Sequence, residues 1–310
     1  MILTLTPNPC VDKTVFIDRL EPGGRFRSNK CTFVPGGKGS NVSRAAKALG
    51  ADTAAMVIVG GHTGHHVVEM IEKDDGVRCV PVWVAGITRT ITTVLESEVH
   101  RQTAFFEPGS PVTPEEAEAV VACFREAVKG AAVATFNGSV PDPSLLDLHR
   151  HCVRIAGEAG VFTILDSYGE EFRRGLAAGP DMVKPNREEA ALLLGRNLDS
   201  VKDCWEAVDA FHALGAGLVA LSLGAGGALV SRDGERYEVR PPKIKEVNPV
   251  GSGDALVAGF AVGIERDLPL AETARLGVAA GTANALSWDI GHFTREEVEA
   301  VAAQVQVIPV

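Results

Sequence analysis

A chain of 310 residues, 45% hydrophobic and 23% charged, can bury one large core or two smaller ones, and it has no apolar run near the roughly 18 to 20 residues of a membrane span. A formal net charge of −10 without a dense Lys/Arg tract speaks against a nucleic-acid surface, and six widely spaced cysteines without a C-x-x-C pair speak against a zinc site or a disulfide framework. The first residues, MILTLTPNPCVDK, do not read as a secretory leader, so the expectation is a soluble, cytoplasmic protein.

In chain order, ILTLT (2–6) predicts a buried strand, and residues 10–35 alternate apolar and polar positions as a half-exposed antiparallel strand does. Within that stretch Arg25, Arg27 and Lys30, with Lys38 and Arg44 beyond it, form a loose basic island suited either to solvent or to an anionic small molecule. FVPGGKGSNVSRAAKALG then predicts a glycine loop feeding a helix at about Ser40. It misses the Walker pattern, because Thr32 stands at the first glycine position and Gly39 follows Lys38, but Lys38 and Asn41 offer donors to a polyhydroxyl or phosphorylated ligand.

AAMVIVGG (54–61) predicts another strand, followed by GGHTGHH, where His62, His65 and His66 do not read as a metal site, because adjacent histidines rarely converge on one metal and no further His or Cys ligand is nearby. Residues 86–107 alternate again and predict a second contribution to a small sheet lying over a site as a lid. TPEEAEAVVACFREAVKG predicts a helix with Thr113 and Glu116 as a capping box, Pro114 at the first helical position and Gly130 as its stop. Ala117, Val120, Val121, Phe124 and Val128 share its apolar face.

The runs 131–139, 161–169 and 218–230, with Met182 and Val183, predict further strands. Their tips, NGS, DSYG, KPN and LGAGG, fall where an open parallel sheet binds ligands. The expected class is α/β: a mostly parallel central sheet with helices on both faces and a small antiparallel β lid, in one domain spanning 1–310.

NPVGSGDALVAGF carries the chemistry. Gly251, Ser252 and Gly253 let successive backbone N–H groups gather at a helix start, a natural anion site. Asp254 would repel a resting anion there unless it takes a proton from an incoming hydroxyl, which is what phosphoryl transfer to an alcohol requires. A dinucleotide fingerprint fails, because Leu256 stands at its third glycine position.

These stretches, with LTPNPCVD, TRT, NGSVP, VKPNREEAALLLG, SLGAGGAL and GVAAGTANA in the same order, resemble the PfkB (ribokinase-like) family of carbohydrate kinases over nearly the whole chain. The branch most resembled is that of the hexose-phosphate kinases: tagatose-6-phosphate kinase, 1-phosphofructokinase and the minor 6-phosphofructokinase. The resemblance implies a ribokinase-like three-layer fold and ATP- and Mg2+-dependent phosphorylation of a primary hydroxyl of a ketohexose monophosphate, with Asp254 as base and the Gly251–Asp254 amides as anion hole. It implies that Asp12, Gly36, Gly37, Lys38 and Asn41 hold sugar hydroxyls, and that Arg25, Lys38, Arg89 and Ser139 hold the substrate phosphate.

For the nucleotide it implies Lys184, Asn186 and the loop from Ser222 through Gly224 to Gly227, with Val278, Thr282 and Asn284 near the adenine. Glu189, of an N-x-x-E motif, would meet magnesium through water. A K+ requirement, inhibition by ATP and a homodimer formed through the lid occur among relatives, and the sequence leaves all three open. Asn137 and Tyr168 replace serines usual in the family, which leaves sugar identity open, and Ile91 stands where relatives often place a polar residue, which leaves contacts from the lid strand beyond Arg89 open. Other readings are a kinase of an unphosphorylated sugar or nucleoside, a non-catalytic sugar-phosphate sensor, and an oxidoreductase using the late glycine loop.

Overall fold

The computed structural model describes residues 1–28, 30–99 and 101–310. Its strands are β1 (Ile2–Thr6), β2 (Cys10–Ile17), β3 (Lys30–Gly36), β4 (Thr53–Val59), β5 (Arg78–Trp83), β6 (Arg89–Glu96), β7 (Arg101–Phe106), β8 (Val133–Asn137), β9 (Phe162–Asp166), β10 (Met182–Val183), β11 (Leu218–Ser222), β12 (Ala228–Arg232), β13 (Glu235–Arg240) and β14 (Gln306–Pro309). The helices are α1 (Lys38–Ala48), α2 (Gly61–Lys73), α3 (Pro114–Ala127), α4 (Leu148–Glu158), α5 (Gly169–Leu176), α6 (Arg187–Leu194), α7 (Val201–Ala213), α8 (Ser252–Glu265), α9 (Leu270–Leu286) and α10 (Arg295–Ala302).

Among the described residues a ten-stranded sheet runs in the order β14-β13-β12-β11-β10-β9-β8-β1-β4-β5. It is parallel from β11 to β5 and antiparallel from β11 through β14. Period-two alternation sends successive side chains to opposite faces. Leu3, Leu5, Met56, Phe136 and Leu165 pack against α3, α4, α5, α6 and α7. Ile2, Val133, Ile164 and Leu218 pack against α1, α8, α9 and α10, while Val57 and Val59 on that same face meet α2. Strands buried on both faces are apolar throughout, which is why their sequences show no alternation.

The apolar run 218–230 is two strands rather than one: β11 and β12 pair antiparallel around a short turn at Gly224–Gly226, and Gly227, at φ +88°, reverses the chain. β5 was not anticipated; it is short, carries Pro81 and lies at the sheet edge, where a missing N–H is tolerated. α3 begins with the expected capping box, the Thr113 side chain accepting from the Glu116 N–H and the Glu116 carboxylate accepting from the Thr113 N–H. Thr113→Ala should lower stability by about 1 kcal/mol without changing turnover, read from denaturant midpoints beside activity.

A second sheet, in the order β3-β2-β6-β7, comes from the two alternating segments. Its outer pairs are antiparallel, but β2 and β6 run parallel, because two hairpins from distant parts of the chain join side by side. Asn29 and His100 belong to the expected ranges 10–35 and 86–107 and lie outside the described residues.

Candidate active site

The carboxyl ends of β9 and β10 and the N-termini of α1 and α8 converge. α1 starts at Lys38, two residues before the sequence places it, so Lys38 sits in the first helical turn with Asn41 one turn on. Gly37 caps it at φ +109°, and a side chain there would press on Thr6 at the end of β1. α8 starts at Ser252 behind Gly251, whose φ of +80° and close approach to Ile290 leave room only for glycine. Asp254 therefore lies in the first turn of α8, where unpaired N–H groups cluster.

Asp254 is buried, and its Oδ2 accepts from Asn41 Nδ2 at 2.8 Å. Burial pushes its carboxyl up to about 6 and the negative charge of Asp166 adds to this, against the pull of Lys38, Asn41 and Lys184. Lys38 Nζ lies 3.2 Å from Asp166 Oδ1 and 3.8 Å from Glu189 Oε1. Burial alone would lower its pKa, but the carboxylates of Asp166, Asp254 and Glu189 outweigh that and raise it, so Lys38 is a fixed cation. Lys184, buried, reaches the same Asp166 oxygen at 3.2 Å, and a Cβ on Gly253 would lie 3.5 Å from its ammonium. Lys184 thus places positive charge beside the glycine loop.

The sugar-side candidates sit in register across the small sheet: Cys10 faces Gly36 on one side and Arg89 on the other. Arg89 donates from Nη2 to the Asn8 carbonyl at 3.1 Å, while its buried Nε has no partner. Asp12 is half-buried on β2, and burial raises its carboxyl against the pull of Arg44. Ser139 follows Gly138, where a Cβ would lie 3.8 Å from the Lys38 stem and whose carbonyl accepts from Ser167 Oγ and from His149 Nε2. His149 is fully enclosed, and burial lowers its pKa, keeping it neutral. Arg25 is exposed in the segment joining β2 and β3, with no hydrogen bond to the site among the described residues.

On the other side, Asn186 and Glu189 form the capping box of α6, and Ser222 bonds to the Pro185 carbonyl beside them. Gly224 is exposed and Gly227 buried in the turn that follows. Val278 and Thr282 are buried along α9, the latter donating to the Val278 carbonyl. Asn284 donates to the Val250 carbonyl and Ser252 Oγ and accepts from the Gly291 N–H, bracing the glycine loop from below.

Among the described residues no cluster of three or more His, Cys, Asp or Glu is placed to hold a metal directly. The donor set nonetheless suits a hydrated hard cation: Asp166 Oδ2 is buried without a hydrogen-bond partner, and Glu189 keeps Oε1 free of its capping bond, which uses Oε2. His65 stacks on Trp83 and His66 faces Phe33, so these histidines have aromatic partners.

Asp166, at the tip of β9, is the anchor that the sequence reading passed over; its signal was an aspartate ending a buried strand. Arg44 leaves the basic island altogether: it is buried and paired with Asp75 at 2.7 Å, brought close by the end of α2. Of the replaced serines, Asn137 is buried and donates to Thr135 Oγ1, whereas Tyr168 is exposed with Lys38 Nζ 6.0 Å from its ring centroid. Ile91, on β6, pairs with Asp12 and Phe106.

A family model described as pfkB family carbohydrate kinase matches residues 5–289. The chain is 32% identical to the tagatose-6-phosphate kinase of Staphylococcus epidermidis over 313 residues, covering all of both chains, and 33% identical to the 1-phosphofructokinase of Bacillus subtilis, covering 99% of each. The solved tetrameric inhibited form of Escherichia coli phosphofructokinase-2 superposes with a TM-score of 0.91 at 30% identity, covering 98% of each chain.

Proposed function

The chain belongs to the pfkB family of carbohydrate kinases, and from that premise we propose that it transfers the γ-phosphoryl group of ATP to a primary hydroxyl of a ketohexose monophosphate, giving the bisphosphate. ATP-dependent phosphorylation of a hexose phosphate is the activity its membership and relatives support. Tagatose 6-phosphate, fructose 1-phosphate and fructose 6-phosphate are the acceptors to compare.

The observation that carries this reading is Asp254 itself: a buried carboxylate held by Asn41 in the first turn of α8, next to the Gly251–Gly253 amides and flanked by Lys38 and Lys184. The carboxylate takes the hydroxyl proton as the oxygen attacks, while the amides of Gly251, Gly253 and Asp254 receive the charge on the phosphoryl oxygens; the Ser252 amide, expected from the sequence to join them, already donates to the Pro249 carbonyl at 3.1 Å. Lys38, Arg89, Ser139 and Arg25 hold the phosphate already on the sugar, and Asp12, Gly36, Gly37 and Asn41 orient its hydroxyls. Lys184, Asn186 and the loop Ser222–Gly227 hold ATP, with Val278 and Thr282 behind the adenine side and Asn284 supporting the loop. Magnesium, met by Glu189 through water, supplies charge neutralisation on the nucleotide phosphates.

We treat 1–310 as one kinase unit in which the small sheet closes as a lid and excludes water, since an open site would hydrolyse ATP. Phe33, Phe105 and Phe106 are exposed on that sheet, and a second copy docking there would give a homodimer.

A base must be ionised to act. With its carboxyl pushed up to about 6, kcat/KM should hold from pH 8 to 7 and then fall about tenfold per pH unit below 6. A profile flat down to pH 5 would contradict the assignment.

A further inference from the structure

An asparagine facing a carboxylate is useful only in one of two orientations: Nδ2 toward the carboxylate is a hydrogen bond, and Oδ1 toward it is a repulsion. Asn41 has the useful one, and the choice is made by Arg44, one turn further along the same face of α1. Arg44 Nη1 donates to Asn41 Oδ1 at 3.1 Å, so only Nδ2 can point at Asp254. Arg44 is itself held on every side. Its Nε donates to Asp75 Oδ1 at 2.7 Å, its Nη2 to the Pro35 carbonyl at 2.8 Å, and its Nη1 also to the Ile290 carbonyl at 3.1 Å. Both side chains of the ion pair are nearly sealed from solvent, at 5% and 3% exposure, so Arg44 is engaged by protein groups alone.

Its partners are the parts that must agree for transfer to occur. Pro35 lies in β3 at the root of the small sheet, Asn41 bonds Asp254, and Ile290 abuts Gly251 at the glycine loop. Asp75, which follows α2, fixes the guanidinium by charge.

We propose that the buried Arg44–Asp75 pair is a positioning device for phosphoryl transfer: it locks the Asn41 amide so that Asn41 holds the Asp254 carboxylate beside the glycine loop. The inference rests on Asp254 as base. Arg44 is a positioning residue, acting through Asn41 without touching substrate.

The test compares Arg44→Lys, which keeps a cation for Asp75 but has one nitrogen for three other partners, with the neutral pair Arg44→Gln/Asp75→Asn, which removes both buried charges together. Each is confirmed folded by its thermal melt and assayed for ADP release with saturating ATP, magnesium and sugar phosphate. The expected result in every folded variant is a kcat loss of about ten- to a hundredfold, with KM for ATP within about twofold, because a hydrogen bond to a charged group is lost at the base. The acid limb of the kcat profile should move up by about half a unit to one unit, since Asn41 no longer favours the ionised carboxylate. The other groups around Asp254, namely Lys38 on α1, Asp166 on β9 and Lys184 after β10, are unchanged in these variants, and Asp12 on β2 faces Arg44 itself.

In an Asn41→Ala background, adding Arg44→Lys should leave kcat within about twofold, because the relay is already cut. A folded variant with wild-type kcat and an unmoved acid limb overturns the proposal, as does an equal further loss in the Asn41→Ala background. Asp254→Asn at wild-type rate would instead overturn the base assignment on which the proposal stands.

Discussion

Asp254→Asn should lose at least about a hundredfold in kcat, ~2.7 kcal/mol in the barrier, and at the same time melt at a higher temperature than the wild type at pH 8. Both effects come from one circumstance: a carboxylate buried where its charge is poorly solvated, with Asp166 nearby raising the cost further. Its folded pKa, about 6, exceeds the ordinary 3.8, so protonation is favoured in the folded state. The stabilising contribution of the neutral form is fully present below the unfolded value and lost as pH rises through about 6. Above that pH the ionised group opposes folding, and replacing it with a neutral amide should recover up to about 3 kcal/mol. The gain should shrink on going from pH 8 to pH 5. Loss of rate with gain of stability marks a charge kept for chemistry. An Asn variant that lost stability at pH 8 would mean that Asp254 is held there for structure.

Lys38→Met should lower kcat/KM for a ketohexose monophosphate by about a hundredfold, ~2.7 kcal/mol, while affecting fructose much less. Two effects combine. A charge-assisted contact to the substrate phosphate is removed, and Asp166, Glu189 and Asp254 lose a shared cation. Since Lys38 holds the Asp254 carboxyl down, its removal should also move the acid limb of the rate profile upward. Equal losses on fructose and on its phosphates would assign Lys38 to the carboxylate cluster alone and remove it from phosphate recognition.

Most of the architecture was legible because buried parallel strands write themselves as continuous apolar runs, as in ILTLT and LVALS, and because the glycine loops before α1 and α8 mark helix starts with special backbone geometry. β12 was hidden for the same reason: hairpin partners that are both buried read as a single run, here broken only by Gly224–Gly227. β5 was hidden by its brevity and Pro81.

The candidate chemistry was legible where it lies within one short segment, as in Gly251–Asp254. It was not where residues meet only in space. Asp166 lies 128 residues from Lys38 in the chain, and Arg44 lies 31 from Asp75. Sequence reading places a charged residue such as Arg44 on the surface by default, since only the fold supplies the buried partner that lets it go inside.

The most direct test of the central claim is ADP release by the wild-type chain with ATP and magnesium across tagatose 6-phosphate, fructose 1-phosphate, fructose 6-phosphate, fructose and ribose, with Asp254→Asn measured beside it. The account predicts turnover on at least one ketohexose monophosphate, little on the two unphosphorylated sugars, and loss of that turnover in the variant. A folded protein that binds ATP yet turns over none of the three phosphates, or turns over fructose or ribose in preference to them, would contradict it.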